Sequence, residues 1–220
     1  MRYLNGLFFS LLILLTLSAC DDGSTNGDPV DNKPNDSTIF HPLMSLKVGN
    51  TWDYRITDYN PDSSVIDNPY SDQWEVMRDT VIGGVKTYLI DADDGDYIGY
   101  ANKEDGLYFW SSEDNWNQTL NRMVKYPVVK GELYHINMDP THPQGSTYTV
   151  SVEETNVDVT VPAGTFKCVK IKMTNDESGS WQIEYFSKNI GLIKGERMDS
   201  EEEGSPFYLS SKIELINKNF

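Results

Sequence analysis

Cysteine is nearly absent from this chain, with only Cys20 and Cys168 in 220 residues. Once Cys20 is assigned as below, no internal disulfide can form, and stability in an oxidising compartment has to come from the core. Histidine is as scarce: His41, His135 and His142 lack a metal-ligand spacing and stand beside Pro or Tyr in loops or at strand ends. The chain holds no G-x-S-x-G, no H-E-x-x-H and no phosphate-cradling glycine loop, so no catalytic residue and no cofactor is assigned, and the reading is non-enzymatic. Two of its many acids could still meet as a glycosidase pair, but abundance without position assigns neither. Positive charge is the other shortage. Eighteen Lys and Arg against 34 Asp and Glu give a formal charge of -16, which argues against nucleic acid and anionic lipid headgroups as partners. The bland reading of those acids is a solvated surface.

Long apolar runs are missing except at the start. Leu7 to Leu17 (LFFSLLILLTL) follows Arg2 and has the length of a signal h-region, too short and wrongly flanked for a mature spanning helix. Leu17-Ser18-Ala19-Cys20 resembles the bacterial lipobox at all four positions. The resemblance implies a diacylglyceryl thioether on Cys20, cleavage after Ala19 and an anchor in a cell-envelope membrane. The rival is an ordinary cleaved signal peptide with a coincidental cysteine. Residues 1–19 then form the signal, and 20–38 form a lipidated cysteine and an acidic tether too polar to offset its ordering entropy. Fully extended, the tether reaches about 60 Å. Removing residues 1–19 takes away Arg2 and no acid, which shifts the charge from -16 to -17. Asp21 directly after the cysteine resembles an inner-membrane retention signal of enteric bacteria; in other phyla early acids resemble a surface-export signal, so both the periplasmic and the surface side stay open.

Residues 39–220 suffice for one sizeable core. Most of this stretch alternates at period two and is rich in Val, Ile, Thr, Tyr and Trp, which predicts an all-β fold: a curved antiparallel sheet or half-barrel, with at most one short helix. In GNTWDYRIT, Trp52, Tyr54 and Ile56 share a face. QWEVMRDTVI and VKTYLID are joined by Gly83-Gly84, a hairpin signal, and DYIGYANK and GLYFW flank a turn near Asp105-Gly106. Further strands are predicted at STYTVSV, NVDVTV, TFKCVKIKM, SWQIEYF, GLIKGERM and FYLSSKIELI. The predicted helix lies in SSEDNWNQTLNRMVKYP, where Trp116, Leu120 and Met123 recur at helical spacing, acids lead, Arg122 and Lys125 trail and Pro127 follows.

NVDVTVPAGTFKCVKIK, followed by EYFSKNIGLIKGE, is the most specific internal feature. Pro162 lacks an N–H and ends strand pairing, Gly164 admits a backbone conformation closed to other residues, and Thr165-Phe166 restart the strand. Phe166 and Cys168 share one face while Val169, Ile171 and Met173 share the other, so either a bulge shifts the register or both faces are partly buried. Over Thr147 to Lys194, and more thinly over PLMSLKVGNTWDY, the sequence resembles a group of uncharacterised bacterial lipoproteins with a VPAGTF turn and a GLVK hairpin; residues 58–123 have no counterpart there. The resemblance implies a curved antiparallel sheet and a lipoprotein setting, with no established reaction.

Candidate sites are few. Cys168 beside Lys167 and Lys170 would make an activated thiolate, but a free cysteine in an alternating strand is more commonly a small buried hydrophobe. Asp91, Asp93, Asp94 and Asp96 in DADDGD resemble the start of a calcium loop, yet Gly95 and Asp96 occupy its fifth and sixth positions and Asn102 its twelfth, so a hairpin turn with solvated acids is preferred. Trp52, Trp74, Trp110 and Trp181 could line a concave sheet and take an apolar ligand or a glycan. Core packing and cross-strand ladders are the plainer use of such residues. The expected partners are the membrane, through lipid on Cys20, and an apolar ligand, a glycan or an envelope protein. A carrier of a lipid or other apolar molecule is the second reading, and a carbohydrate-binding or carbohydrate-active protein the third.

Overall fold

The computed structural model describes residues 42–91, 97–111, 119–137, 147–202 and 204–220. Among the described residues, twelve strands form one antiparallel sheet: β1 (Thr51–Asp58), β2 (Tyr70–Ile82), β3 (Val85–Asp91), β4 (Tyr97–Lys103), β5 (Gly106–Ser111), β6 (Asn121–Lys125), β7 (Leu133–Asn137), β8 (Thr147–Val161), β9 (Gly164–Asn175), β10 (Trp181–Ser187), β11 (Gly191–Asp199) and β12 (Tyr208–Lys218). Their order is β6-β5-β4-β3-β2-β1-β12-β11-β10-β9-β8-β7. Strands adjacent in sequence pair, except β6 and β7, and β1 pairs with β12, so the sheet is an up-and-down meander whose seam falls mid-chain, between β6 and β7. The predicted curved all-β sheet is what forms, nearly closed into a barrel.

The predicted hairpins are present. Gly83 and Gly84 both adopt positive φ (54° and 80°), as the tight turn between Ile82 and Val85 demands. STYTVSV and NVDVTV are one strand, β8, bent by irregularities between Val152 and Glu154 and between Glu154 and Val157. The register question around VPAGTF is thereby answered: the bulges sit in β8, and β9 is buried on both faces at Cys168 and Val169. Beyond the bulges the hairpin reaches β12, where the Ala163 N–H donates to the Leu215 carbonyl at 3.1 Å.

The predicted helix requires correction. Residues 112–118, including Trp116, lie outside the described residues, but 121–125 is strand β6, paired with β5. Met123 and Val124 are both buried, so this strand lacks the one-sided pattern that marks most of the others.

At the seam, Tyr134 of β7 takes the place of a backbone ladder. Its hydroxyl accepts from the Lys125 N–H (3.3 Å) and donates to the Met123 carbonyl (3.1 Å), and the Lys125 ammonium pairs with Glu132. Tyr134→Phe would leave both backbone groups without this partner. Such a loss costs about 1–3 kcal/mol, and a melting temperature lowered by several degrees, with faster amide exchange at Lys125, is the expected result. An unchanged melt would mean that water replaces the hydroxyl.

Residues 42–50 close one end of the barrel. Leu43 and Met44 are buried, the Leu43 N–H donates to the Tyr126 hydroxyl, Asn102 donates to the Met44 carbonyl, and the Asn189 N–H donates to the Pro42 carbonyl. Because the strands run up and down, the β1–β2, β9–β10 and β11–β12 connections lie together at the opposite end.

Candidate functional site

The interior is packed solid around Trp52, Tyr54, Leu43, Met44, Val76 and Leu215. Toward the end away from residues 42–50 it opens into a cavity of about 150 Å3 lined by Tyr100, Phe109, Met123, Ile136, Tyr148, Met173, Gln182 and Glu184. Strand alternation and register explain this set. Glu184 stands opposite Ile171 and Gly195, and Gln182 opposite Met173 and Arg197, so all six share the inner face of β9, β10 and β11.

Three polar side chains therefore occupy core parity: Arg197, which pairs with Asp199, Gln182 and Glu184. Gln182 Nε2 donates to Glu184 Oε1 at 3.3 Å. Glu184 is half-buried as a residue, but its Oε2 is shielded from water and has no hydrogen-bond partner among the described residues. Removal from water pushes this carboxyl up to about 8, from 4.5. Tyr100, which lines the same cavity, packs edge-on against Phe109, with ring centroids 5.8 Å apart. Burial, and after it the charge of Glu184, raises the Tyr100 phenol. The Tyr54 phenol is raised by burial, then by Tyr100, Glu184 and Asp72, and its hydroxyl donates to the Leu192 carbonyl at 2.9 Å.

An adjoining groove of about 310 Å3 shares Gln182 and Glu184 with the cavity and continues to Asp58, Arg197, Ser211 and Ile213. Gly195 lines it without a side chain. A Cβ there would fall 2.7 Å from Ile213 Cγ2.

The four tryptophans do not converge on this site. Trp52 is fully buried and its indole N–H donates to the Ile190 carbonyl (2.7 Å), which makes it a core residue and removes it as a stacking platform. Trp74 shares the inner face with Trp52, donates to Asp72 and packs edge-on against Tyr54. Trp110 lies on the outer face over Gly99, with its Cε3 3.2 Å from where a Gly99 Cβ would stand. Trp181 is on the face of β10 opposite Glu184, and the Lys172 ammonium sits 4.4 Å from its ring centre. Tyrosine, phenylalanine and methionine line the cavity instead.

Of the acidic candidates, Asp91 is exposed at the end of β3; Asp93, Asp94 and Asp96 lie outside the described residues, as do Cys20, His41 and His142. Among the described residues no group of His, Cys, Asp and Glu is arranged to hold a metal ion. Cys168 is fully buried, and burial, with Asp158 adding to it, pushes its thiol up to about 12. Lys167 pairs with Asp158 and Lys170 with Glu153, so both cations that could have activated the sulfur are engaged by carboxylates.

What the sequence reading missed is Glu184 and the rings around it. A signal was present: in WQIEYF the apolar residues Trp181, Ile183 and Tyr185 resemble the core face, yet Phe186, on the other parity, is the buried residue. A strand whose polar face continues into a buried phenylalanine places those polar groups inside.

Residues 145–205 match the DUF3108-like family. That stretch contains the VPAGTF turn, Cys168 and Glu184. No curated protein matches the chain. Among solved structures it is similar to a candidate exported protein with a YmcC-like fold from Bacteroides fragilis, at 13% identity over 81% of this chain and 99% of that one, with a TM-score of 0.46. It is also similar to a candidate lipoprotein from Parabacteroides distasonis, at 15% identity over 80% and 98% of the two chains, with a TM-score of 0.44.

Proposed function

We propose that this is a lipid-anchored protein of the bacterial cell envelope whose barrel binds a small, mostly apolar molecule beside Glu184. The observation that carries the reading is an aromatic and methionine-lined cavity that also has Glu184 in its wall, one of whose carboxyl oxygens has no partner among the described residues. Binding sites are typically apolar with a few placed polar groups, and a buried polar atom without a partner is costly enough to require an explanation. Size limits the ligand. A space of about 150 Å3 is that of an engineered cavity that takes benzene, and only with the adjoining groove does the site enter the range of about 300–1,000 Å3 usual for ligands. A single ring or a short chain fits these two spaces; a whole diacyl lipid exceeds them. This favours a small-molecule binder over a lipid carrier. The half-covered Trp181 offers little to the carbohydrate reading.

Native mass spectrometry of the full protein, extracted from bacterial membranes and released from detergent in the gas phase, tests the reading. An added mass of a few hundred daltons at most, lost on Met173→Trp, is expected. A bare mass for the wild type, together with no displacement of the Tyr100 and Phe109 resonances by small aromatics, would direct attention to a partner-binding scaffold.

A further inference from the structure

We propose that the cavity selects small organic cations, an amine on an apolar ring or short chain, with Glu184 as the counter-charge; this rests on the cavity reading above. Three features of the site bear on the charge of its ligand. Glu184 lines both the apolar cavity and the groove, and its Oε2 has no partner among the described residues once Gln182 has engaged Oε1. Among the described residues, the one cation lining either space is Arg197, whose Nε pairs with Asp199 at 2.9 Å, and none of them is shown paired with Glu184. The described connections at the open end carry Asp62, Asp67, Asp176, Glu177, Glu201 and Glu202 and no Lys or Arg, and Asp58 lies in the groove. A mouth of one sign concentrates ligands of the other.

Inside, Tyr100, Phe109 and Tyr148 line the cavity, and aromatic rings suit an apolar body and attract an ammonium group that meets their faces. When the ion pair forms, the carboxyl proton of Glu184 passes to solvent and the ammonium keeps its own, so charge and protons balance. An anionic ligand would meet the acidic mouth and find no free cation among the cavity's lining residues.

Three probes of one shape separate the possibilities: phenethylamine, 2-phenylethanol and phenylacetate, titrated calorimetrically into the full-length detergent-solubilised protein and its Glu184→Gln variant. The amine should bind at least tenfold more tightly than the alcohol, phenylacetate should not bind, and E184Q should lower amine affinity tenfold or more and alcohol affinity by far less. Circular dichroism melts of the variant check that it is folded. Equal binding of amine and alcohol, or amine binding unaffected by E184Q, overturns the cation assignment and leaves the cavity reading standing. Silence of all three probes at millimolar concentration overturns both.

Discussion

Cys20→Ala is expected to abolish incorporation of an alkyne-tagged fatty acid and to leave an uncleaved chain that still carries residues 1–19. Wild-type protein should resist extraction from membranes by high salt and alkaline carbonate. The magnitude follows from chain chemistry: at about 0.8 kcal/mol per buried methylene, one acyl chain holds a protein reversibly, whereas two or three hold it almost permanently. The structure sharpens the experiment, because the other cysteine cannot substitute. Cys168 has no exposed surface and its thiol is held protonated, so label surviving in Cys20→Ala would have no accessible sulfur to occupy. Normal cleavage after Ala19 in the variant, with a soluble product, would identify an ordinary signal peptide and remove the anchor.

Local signals in the sequence were enough for most of the sheet. Gly83-Gly84 and Asp105-Gly106 fix two hairpins because turn geometry is a property of two or four residues, and alternation around Trp52 and Tyr54 fixes which face of β1 is buried. The pairing of β1 with β12 is different in kind. It joins Trp52 to Lys218 across nearly the whole chain, and no local pattern names a partner at that distance. The segment around Met123 failed for a related reason: its apolar spacing fits a helix because Met123 and Val124 are buried on opposite faces, which erases the period of two.

The site was less legible than the fold. Tryptophan count suggested a lined concavity, but parity decides the face, and parity puts Trp52 and Trp74 inside while Trp110 and Trp181 lie outside. Glu184 was overlooked among 34 acids because its environment, set by Ile171 and Gly195 on the flanking strands, is a tertiary property. Gly195 likewise reads as a weak strand residue until Ile213 is placed 2.7 Å from its absent Cβ.

Glu184→Gln is expected to stabilise the free protein at alkaline pH, the reverse of most interior substitutions. Burial holds the folded carboxyl at about 8, against 4.5 for an ordinary glutamate. Between those values the folded chain binds the proton and the unfolded chain has released it, so stability falls as pH rises. The penalty is absent below about 4.5, grows across the window and levels off above about 8, with a ceiling of about 4–5 kcal/mol. Other groups on the inner face interfere little: the phenols of Tyr54 and Tyr100 are raised and stay neutral through the window, and Arg197 is paired with Asp199. Melting temperatures from pH 5 to pH 9 should therefore fall by about 10 °C more for the wild type than for the variant, given about 2–4 °C per kcal/mol for a domain of this size. Parallel profiles would mean that Glu184 is ionised and hydrated in the folded state, and the case for a ligand counter-charge would go with it. If the profiles diverge as expected, the protein carries a carboxyl that costs it stability when free, and a bound cation that pairs with Oε2 is what would offset that cost.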